Sequence, residues 1–274
     1  QVGLRETIYW TNENDKFDNR SLYDFSLSLQ TTFLKIFNLE DNNKIKHSIR
    51  PNVTYSFIPD VDQTGLPNFD DKDSVARENK VTYSLTSFLT NKWFEKKDTS
   101  PSYRDTVFLE VSQSFDINEA RSNSTTPEDE KRPFSDLKVE MILTPDDRIY
   151  FKGEGEYNVY SSQVSTYDLS MILKDRRGDK LDVGYSYNRN VANYLDLDIN
   201  VNIFKGLDFF HSSRFSFLDA NTKTLETTYG IDYQRQCWGI RLSRVEISAE
   251  NVYYLTLNLL GLGEVGKASA GFNK

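Results

Sequence analysis

Residues Lys44–Ile58 set one face, Ile45, His47, Ile49, Val53, Tyr55 and Phe57, against another, Lys44, Lys46, Ser48, Arg50, Asn52, Thr54 and Ser56. A period of two over so long a run is the mark of a β-strand with two unlike faces, since successive side chains point to opposite sides of the sheet. Globular strands usually run about 5–6 residues. A strand that crosses a bilayer at a tilt needs about 9–11, and alternating runs here are commonly longer. A soluble sandwich also alternates, but it needs neither this length nor this polarity on the second face. The pattern points to a transmembrane barrel.

The same period recurs along the chain. Strands are expected at Leu4–Trp10, Ser21–Phe37, Lys44–Ile58, Asn79–Thr90 and Thr106–Asp116. Others follow near 135–143, 148–160, 165–174, 180–189, 194–204, 207–218, 224–233, 237–245 and 251–260, about fourteen in all, with no helix. Phe25, Leu27, Ile45, Val53, Tyr55, Val107 and Leu109 are expected to face outward; Lys46, Arg50 and Glu140 are expected to face inward. Pro51 interrupts its strand and predicts a bulge or local break in the ladder.

Turns sort by length. Counted in order, the even ones are mostly tight: Asn38–Asn43, Thr144–Asp147, Asp175–Asp179, Lys205–Gly206 and Gln234–Gln236, with Asn91–Ser102 the exception. The odd ones include Thr11–Arg20, Pro59–Arg77 and Ile117–Arg132. Short turns on one rim and longer loops on the other is the layout of outer-membrane barrels. The expected fold is therefore all-β: an antiparallel meander transmembrane β-barrel, with residues 1–274 forming one barrel unit.

Composition excludes several classes. Aromatic residues make up 14% of the chain, with 16 Tyr and 18 Phe. No apolar run approaches the roughly 18 residues of a membrane-spanning helix, which leaves barrels untouched. A net charge of -8 argues against a nucleic-acid surface. One cysteine, Cys237, cannot form an internal disulfide, and His47 and His211 lie on separate strands, so no metal site or cofactor is expected. Gln1 opens directly onto a strand, which suggests that an N-terminal portion is missing.

Few constellations carry chemistry. The basic row Lys44, Lys46 and Arg50 could meet phosphate, but the plainer reading is a watery lumen with acidic neighbours such as Glu140, Glu154 and Glu156. Asp60, Asp62, Asp70, Asp71 and Asp73 lack the spacing of a calcium loop and read as a solvated loop. Gly153 and Gly155 read as room for bending or tight packing in a strand. No nucleophile arrangement is legible, which counts against an outer-membrane hydrolase and favours a protein that is not an enzyme. Cys237 sits at a turn, and in an oxidising compartment an unpaired cysteine suggests a partner outside the chain.

Several motifs occur together: Leu4-Arg5-Glu6-Thr7; His47-Ser48-Ile49-Arg50-Pro51 followed by Tyr55; and Ile58-Pro59-Asp60-Val61-Asp62-Gln63 leading into Leu66-Pro67-Asn68-Phe69-Asp70, Asp73, Asn79 and Thr82-Tyr83-Ser84-Leu85-Thr86. Near the C-terminus stand Gln236-Cys237-Trp238-Gly239-Ile240-Arg241-Leu242 and Asn258-Leu259-Leu260-Gly261-Leu262-Gly263. In this order they resemble the LptD family of lipopolysaccharide-assembly outer-membrane proteins, once called organic solvent tolerance proteins. The family has two adjacent cysteines where this chain has Gln236-Cys237.

The resemblance implies a barrel of about 26 strands in the Gram-negative outer membrane, of which this chain would be the C-terminal part. It implies a preceding periplasmic jelly roll, a plug lipoprotein, LptE, and contact through that absent N-terminal region with the periplasmic bridge protein LptA. It implies insertion of lipopolysaccharide into the outer leaflet through a lumen and a lateral gate, among membrane lipid, with no catalysis. Cys237 would form a disulfide with the missing N-terminal region, from the periplasmic rim shared with the Thr144–Asp147 and Lys205–Gly206 turns. The last strand, Val252–Leu260, would be one side of the gate, through Tyr253, Tyr254, Leu255, Thr256, Leu257, Asn258 and Leu259. The first strand here and this one were not selected to pair, so an open arc is expected. The alternative is a porin-like passive channel, which a basic constriction made by an inward-folded loop would favour.

Overall fold

The computed structural model describes residues 1–11, 16–64, 66, 75–94, 100–122, 130–218, 223–247, 250–259, 261 and 263–273. Its strands are β1 (Val2–Thr11), β2 (Lys16–Gln30), β3 (Phe33–Asn38), β4 (Lys44–Ile58), β5 (Glu78–Trp93), β6 (Ser102–Asp116), β7 (Leu137–Asp146) and β8 (Ile149–Asn158). They continue through β9 (Gln163–Lys174), β10 (Lys180–Asn188), β11 (Ala192–Phe204), β12 (Leu207–Ser216), β13 (Lys223–Gln234), β14 (Trp238–Ile247), β15 (Glu250–Leu259) and β16 (Gly263–Asn273). All belong to one antiparallel sheet in meander order, and the path does not close: β1 pairs with β2 and β16 with β15. An open arc was expected, and among the described residues no pairing joins the two end strands.

Sixteen strands against about fourteen reflects two differences. The first lies at Pro51. β2 and β3 hold the same register on β4, Gln30 opposite Asn52 and Phe33 opposite Ile49, but the ladder lapses between them. Thr31 N donates to Pro51 O at 3.3 Å, so the Pro51 edge that lacks an N–H faces β2 and β3. On its other edge β4 pairs with β5 without a slip from Lys44 to Ile58. The expected break is real, and it is confined to one side.

The second difference corrects an expectation. Val252–Leu260 is not the last strand of the sheet, because β16 pairs along β15 from Glu250 to Leu259. Gly263–Asn273 is rich in Gly, Ala and Ser, which strands disfavour, so its sequence hides it. Two smaller corrections follow. β2 begins at Lys16, so the expected ten-residue Thr11–Arg20 loop is largely strand. Asn19 Nδ2 and Ser21 Oγ both donate to Glu6 there, at 2.7 and 2.5 Å, giving a polar strand pair that apolar periodicity cannot reveal. One helical turn, α1 (Ile117–Arg121), follows β6; the Asp116 carboxylate accepts from Glu119 N at 3.0 Å as its N-cap.

The register separates two faces. Leu27 stands opposite Tyr55, Tyr55 opposite Val81, Val107 opposite Leu89 and Leu143, and Leu109 opposite Met141. Phe25, Ile45 and Val53 belong to the same face. Its side chains are exposed, Leu85 at 49%, Leu242 at 47% and Leu255 at 51%, and among the described residues only Tyr9 and Leu22 are buried hydrophobics. A sheet with almost no dry core among its described residues and a broad apolar face requires lipid as its solvent. Aromatic residues flank that face: Trp93 and the Tyr233–Trp238 pair near one end of the strands, and the stacked Tyr167, Tyr185 and Tyr187 near the other. Such girdles mark the two interfaces of a membrane barrel.

Candidate functional site: the lumen face, the rims and the terminal strands

The second face carries the charge. One cross-strand row runs Arg50, Thr86, Glu110, Glu140, Glu154 and Asp168. Four carboxylates in consecutive cross-strand positions, Glu110, Glu140, Glu154 and Asp168, repel one another. Lys152 relieves this by reaching Glu154 at 2.7 Å and Glu140 at 3.6 Å, Lys138 holds Glu156 at 2.7 Å, and Thr86 donates to Glu110 at 3.1 Å. Glu110, Lys138, Glu140, Glu154, Glu156 and Asp168 line a depression of about 360 Å³. The pairs are half-exposed to water, so each contributes about 0–1 kcal/mol. Their effect is to keep this face hydrated.

Arg50 and Lys46 share that face with Glu140, as expected, but the basic row does not meet the acids. Among the described residues no ion pair involves Lys44, Lys46 or Arg50. The Arg50 guanidinium instead stacks over Phe88, 4.7 Å from the ring centroid. Lys44 lies directly opposite Lys92, whose ammonium sits 5.0 Å from the Phe94 ring. The acids have nearer cations in Lys138 and Lys152, on their own strands.

The long loop after β4 turns onto the polar face. Gln63 Oε1 accepts from Arg20 Nη1 at 3.2 Å and from Val75 N at 3.1 Å, while Gln63 Nε2 donates to Val75 O at 2.8 Å. Arg20 is buried, opposite Thr7 on the face that also holds Tyr9 and Leu22. The described charges in this loop are acidic or neutralised: Asp60 pairs with Arg77 at 3.5 Å. Two hydrogen bonds from Thr64, hydroxyl then backbone, hold the Asp62 carboxyl below its usual range. An inward loop is present, but a basic constriction is not, among the described residues. Asp70, Asp71 and Asp73 lie outside them, and no metal-ligating cluster occurs within them.

Antiparallel order fixes the rims. Cys237 lies in the 235–237 turn, on the rim shared by turns 147–148 and 205–206, and loops 59–77 and 117–136 lie at the opposite rim. The Cys237 thiol is free and exposed, beside an open depression lined by Lys205, Gly206, Gln234, Arg235 and Trp238. Gly206 takes a left-handed φ of 90°, and its carbonyl accepts from Gln234 N at 2.7 Å, tying the two turns together. His47 and His211 stand apart on the apolar face; His47 meets Ser87 at 2.9 Å and His211 meets Ser213 at 3.0 Å.

In β15, Tyr253, Leu255, Leu257 and Leu259 lie on the apolar face, and Tyr254, Thr256 and Asn258 on the polar one. Thr256 is buried between Arg241 of β14 and Lys267 of β16. The strand proposed from sequence as a gate edge is thus one strand in from the edge.

Comparison with known proteins places this wall in a family. The model for "LptD: LPS transport system D" matches residues 1–201 of the 274. The Gln-Cys-Trp stretch lies beyond that match. An LPS-assembly protein LptD from Nitrosomonas eutropha is 24% identical over 266 residues, covering 88% of this chain and 35% of its own length. Another, from Nitrosospira multiformis, is 23% identical, covering 97% of this chain and 30% of its own. This chain therefore spans about a third of the length of these relatives. A mutant of Rh. blastica porin aligns with all of the chain at 8% identity and a TM-score of 0.30, too loose a likeness to carry an argument. On the family match across most of its length, the chain belongs to the LptD family, LPS transport system D.

Proposed function

We propose that this chain is the C-terminal part of the barrel wall of an outer-membrane translocon that inserts lipopolysaccharide into the outer leaflet. The observation that carries the reading is a family match on a sheet with one lipid-facing and one hydrated, charged face. In this reading the polar face lines the passage for sugars and receives the plug lipoprotein LptE. The absent N-terminal region meets the bridge protein LptA and supplies the disulfide partner of Cys237 at the periplasmic rim. The lateral exit lies at the β15–β16 end of the sheet, with Tyr253–Leu259 supporting the edge and β16 forming it. A seam opens most easily where few ladder hydrogen bonds cross it, and in this reading that seam runs along the edge of β16 away from β15.

The test uses the complete protein. A cysteine at Ala268 of β16 and another on the first barrel strand are oxidised, and lipopolysaccharide arrival at the surface is timed. Arrest that dithiothreitol reverses supports the gate; export at the normal rate with the bond formed refutes it. The inward Gln63 loop is a feature also expected of a porin-like channel. If purified complete protein conducts small solutes in planar bilayers and its depletion leaves surface lipopolysaccharide unchanged, that second reading stands instead.

A further inference from the structure

The apolar face carries an arginine where lipid should be. On β14 the outward positions run Trp238, Ile240, Leu242 and then Arg244, while Arg241 points to the other face and pairs with Asp232 at 2.6 Å. Arg244 lies six residues from Trp238, the girdle residue at the start of the strand. At 3.4 Å per residue and a tilt near 40–45°, that is about 15 Å across the membrane. The apolar band of such barrels is about 25 Å tall, so Arg244 lies inside it, toward the long-loop rim.

An ionised side chain at such a depth is costly unless it is partnered, and by default it marks a function. Arg244 is elaborately held. Nε and Nη2 donate to Asn251 Oδ1 at 3.0 and 2.7 Å, Nη2 also donates to Glu246 Oε2 at 3.2 Å, and Nη1 donates to the Tyr229 hydroxyl. The guanidinium lies 5.4 Å from the Tyr229 ring centroid and 6.0 Å from that of Tyr253. Four of its five N–H groups are accounted for by these bonds, which fix the plane of the fork. The remaining Nη1 N–H and the Tyr229 proton are left for an acceptor beyond the network. The same face continues polar through Ser213, Thr227 and His211, linked at 3.0 and 3.2 Å.

We propose that Arg244 and Tyr229 bind the phosphate of a lipid headgroup drawn down against the outer face of β13–β15. The remaining Nη1 N–H and the Tyr229 hydroxyl are two donors side by side on a cationic group, which suits an anionic acceptor with several oxygens such as a phosphate, and the ligands that reach this face from outside the wall are membrane lipids. Glu246 beside the fork fits an ammonium on the same headgroup and competes with a purely anionic one. The site requires only that this face meet lipid, so it stands or falls separately from lipopolysaccharide export.

The test takes the complete protein in detergent and measures by native mass spectrometry which lipids it retains. Probes are phosphatidylglycerol, phosphatidylethanolamine and phosphate-free monoglucosyl diacylglycerol, with inorganic phosphate as a separate competitor. Wild type should retain both phospholipids at least fivefold over the glucolipid. Arg244→Leu should bring them down to the glucolipid level, and Arg244→Lys should keep part of the preference. Arg241→Leu, on the opposite face, should change nothing, and Glu246→Gln should raise phosphatidylglycerol over phosphatidylethanolamine. Heat-modifiable mobility on gels checks folding; should Arg244→Leu not fold, the Glu246→Gln shift decides. Equal retention of the glucolipid by wild type, or no loss in Arg244→Leu, overturns the proposal. Displacement of lipid by millimolar inorganic phosphate would make this a free-phosphate site and overturn the lipid assignment.

Discussion

Leu109 offers a direct test of which face meets lipid. It lies seven residues from each end of β6, at the middle of the strand, on the face shared with Met141 and Leu169. Replacing it with arginine puts a guanidinium near the bilayer midplane with no prepared partner. Charged substitutions at that depth cost about 2–4 kcal/mol, roughly 30- to 800-fold in the folding equilibrium. Ser112, three residues along the same strand, points to the opposite face among Glu110, Lys138 and Glu156. Ser112→Arg puts the same charge beside carboxylates in water and should cost less than about 1 kcal/mol. Complete protein folded into phosphatidylcholine vesicles and titrated with guanidinium chloride measures both. If Ser112→Arg costs as much as Leu109→Arg, or more, the assignment of faces is wrong, and with it the membrane reading of the sheet.

Other outcomes follow from particular contacts. A Cβ at Gly230 would stand 2.2 Å from Leu242 O and 2.8 Å from Phe210 Cζ, so Gly230→Val should reduce the folded fraction of complete protein sharply; Gly266→Ala, where a Cβ meets nothing within 4 Å, should be tolerated, and heat-modifiable gels compare them. Gln63→Ala removes the bonds that tie Val75 and Arg20 to the loop, about 1–3 kcal/mol if the buried partners stay unsatisfied. Trypsin cleavage after Arg77 should quicken; an unchanged rate would mean that the loop is held elsewhere. If Cys237 bonds a cysteine outside residues 1–274, complete protein should migrate differently with and without reductant, and Cys237→Ser should remove the difference. Identical mobility in both forms would leave Cys237 a free thiol.

Strand existence and facing were legible in sequence because lipid enforces alternation wherever a strand crosses it. Leu109 and Glu110 sort to opposite faces on period alone. Legibility fails where that pressure lapses. Lys16–Arg20 pairs with β1 where Glu6, Asn19 and Ser21 bond one another and so interrupt the apolar alternation that Leu4, Ile8 and Trp10 otherwise keep. β16 has small residues at alternate positions and so lacks contrast between faces. Pro51 announced a break, but only the direction of Thr31 N revealed which neighbour loses the ladder. Arg244 was missed for a different reason. It occupies an outward position in a strand read as apolar and polar by turns, and its partners Tyr229 and Asn251 lie on two other strands.

The meander order has a consequence for how the wall is assembled. Strands adjacent in the sheet are adjacent in the chain, apart from the split β2–β3 pair sharing β4. Contact order is thus kept low for so wide a sheet, and each hairpin after β6 closes through a short connection at a loop-entropy cost that grows only with the logarithm of its length. The two wide spans, 59–77 and 117–136, are the slow closures on this scale. Nucleation is therefore favoured in β7–β16, and β4–β6 join later. Growth by successive hairpins would keep a bare strand edge at the advancing front until another strand pairs with it.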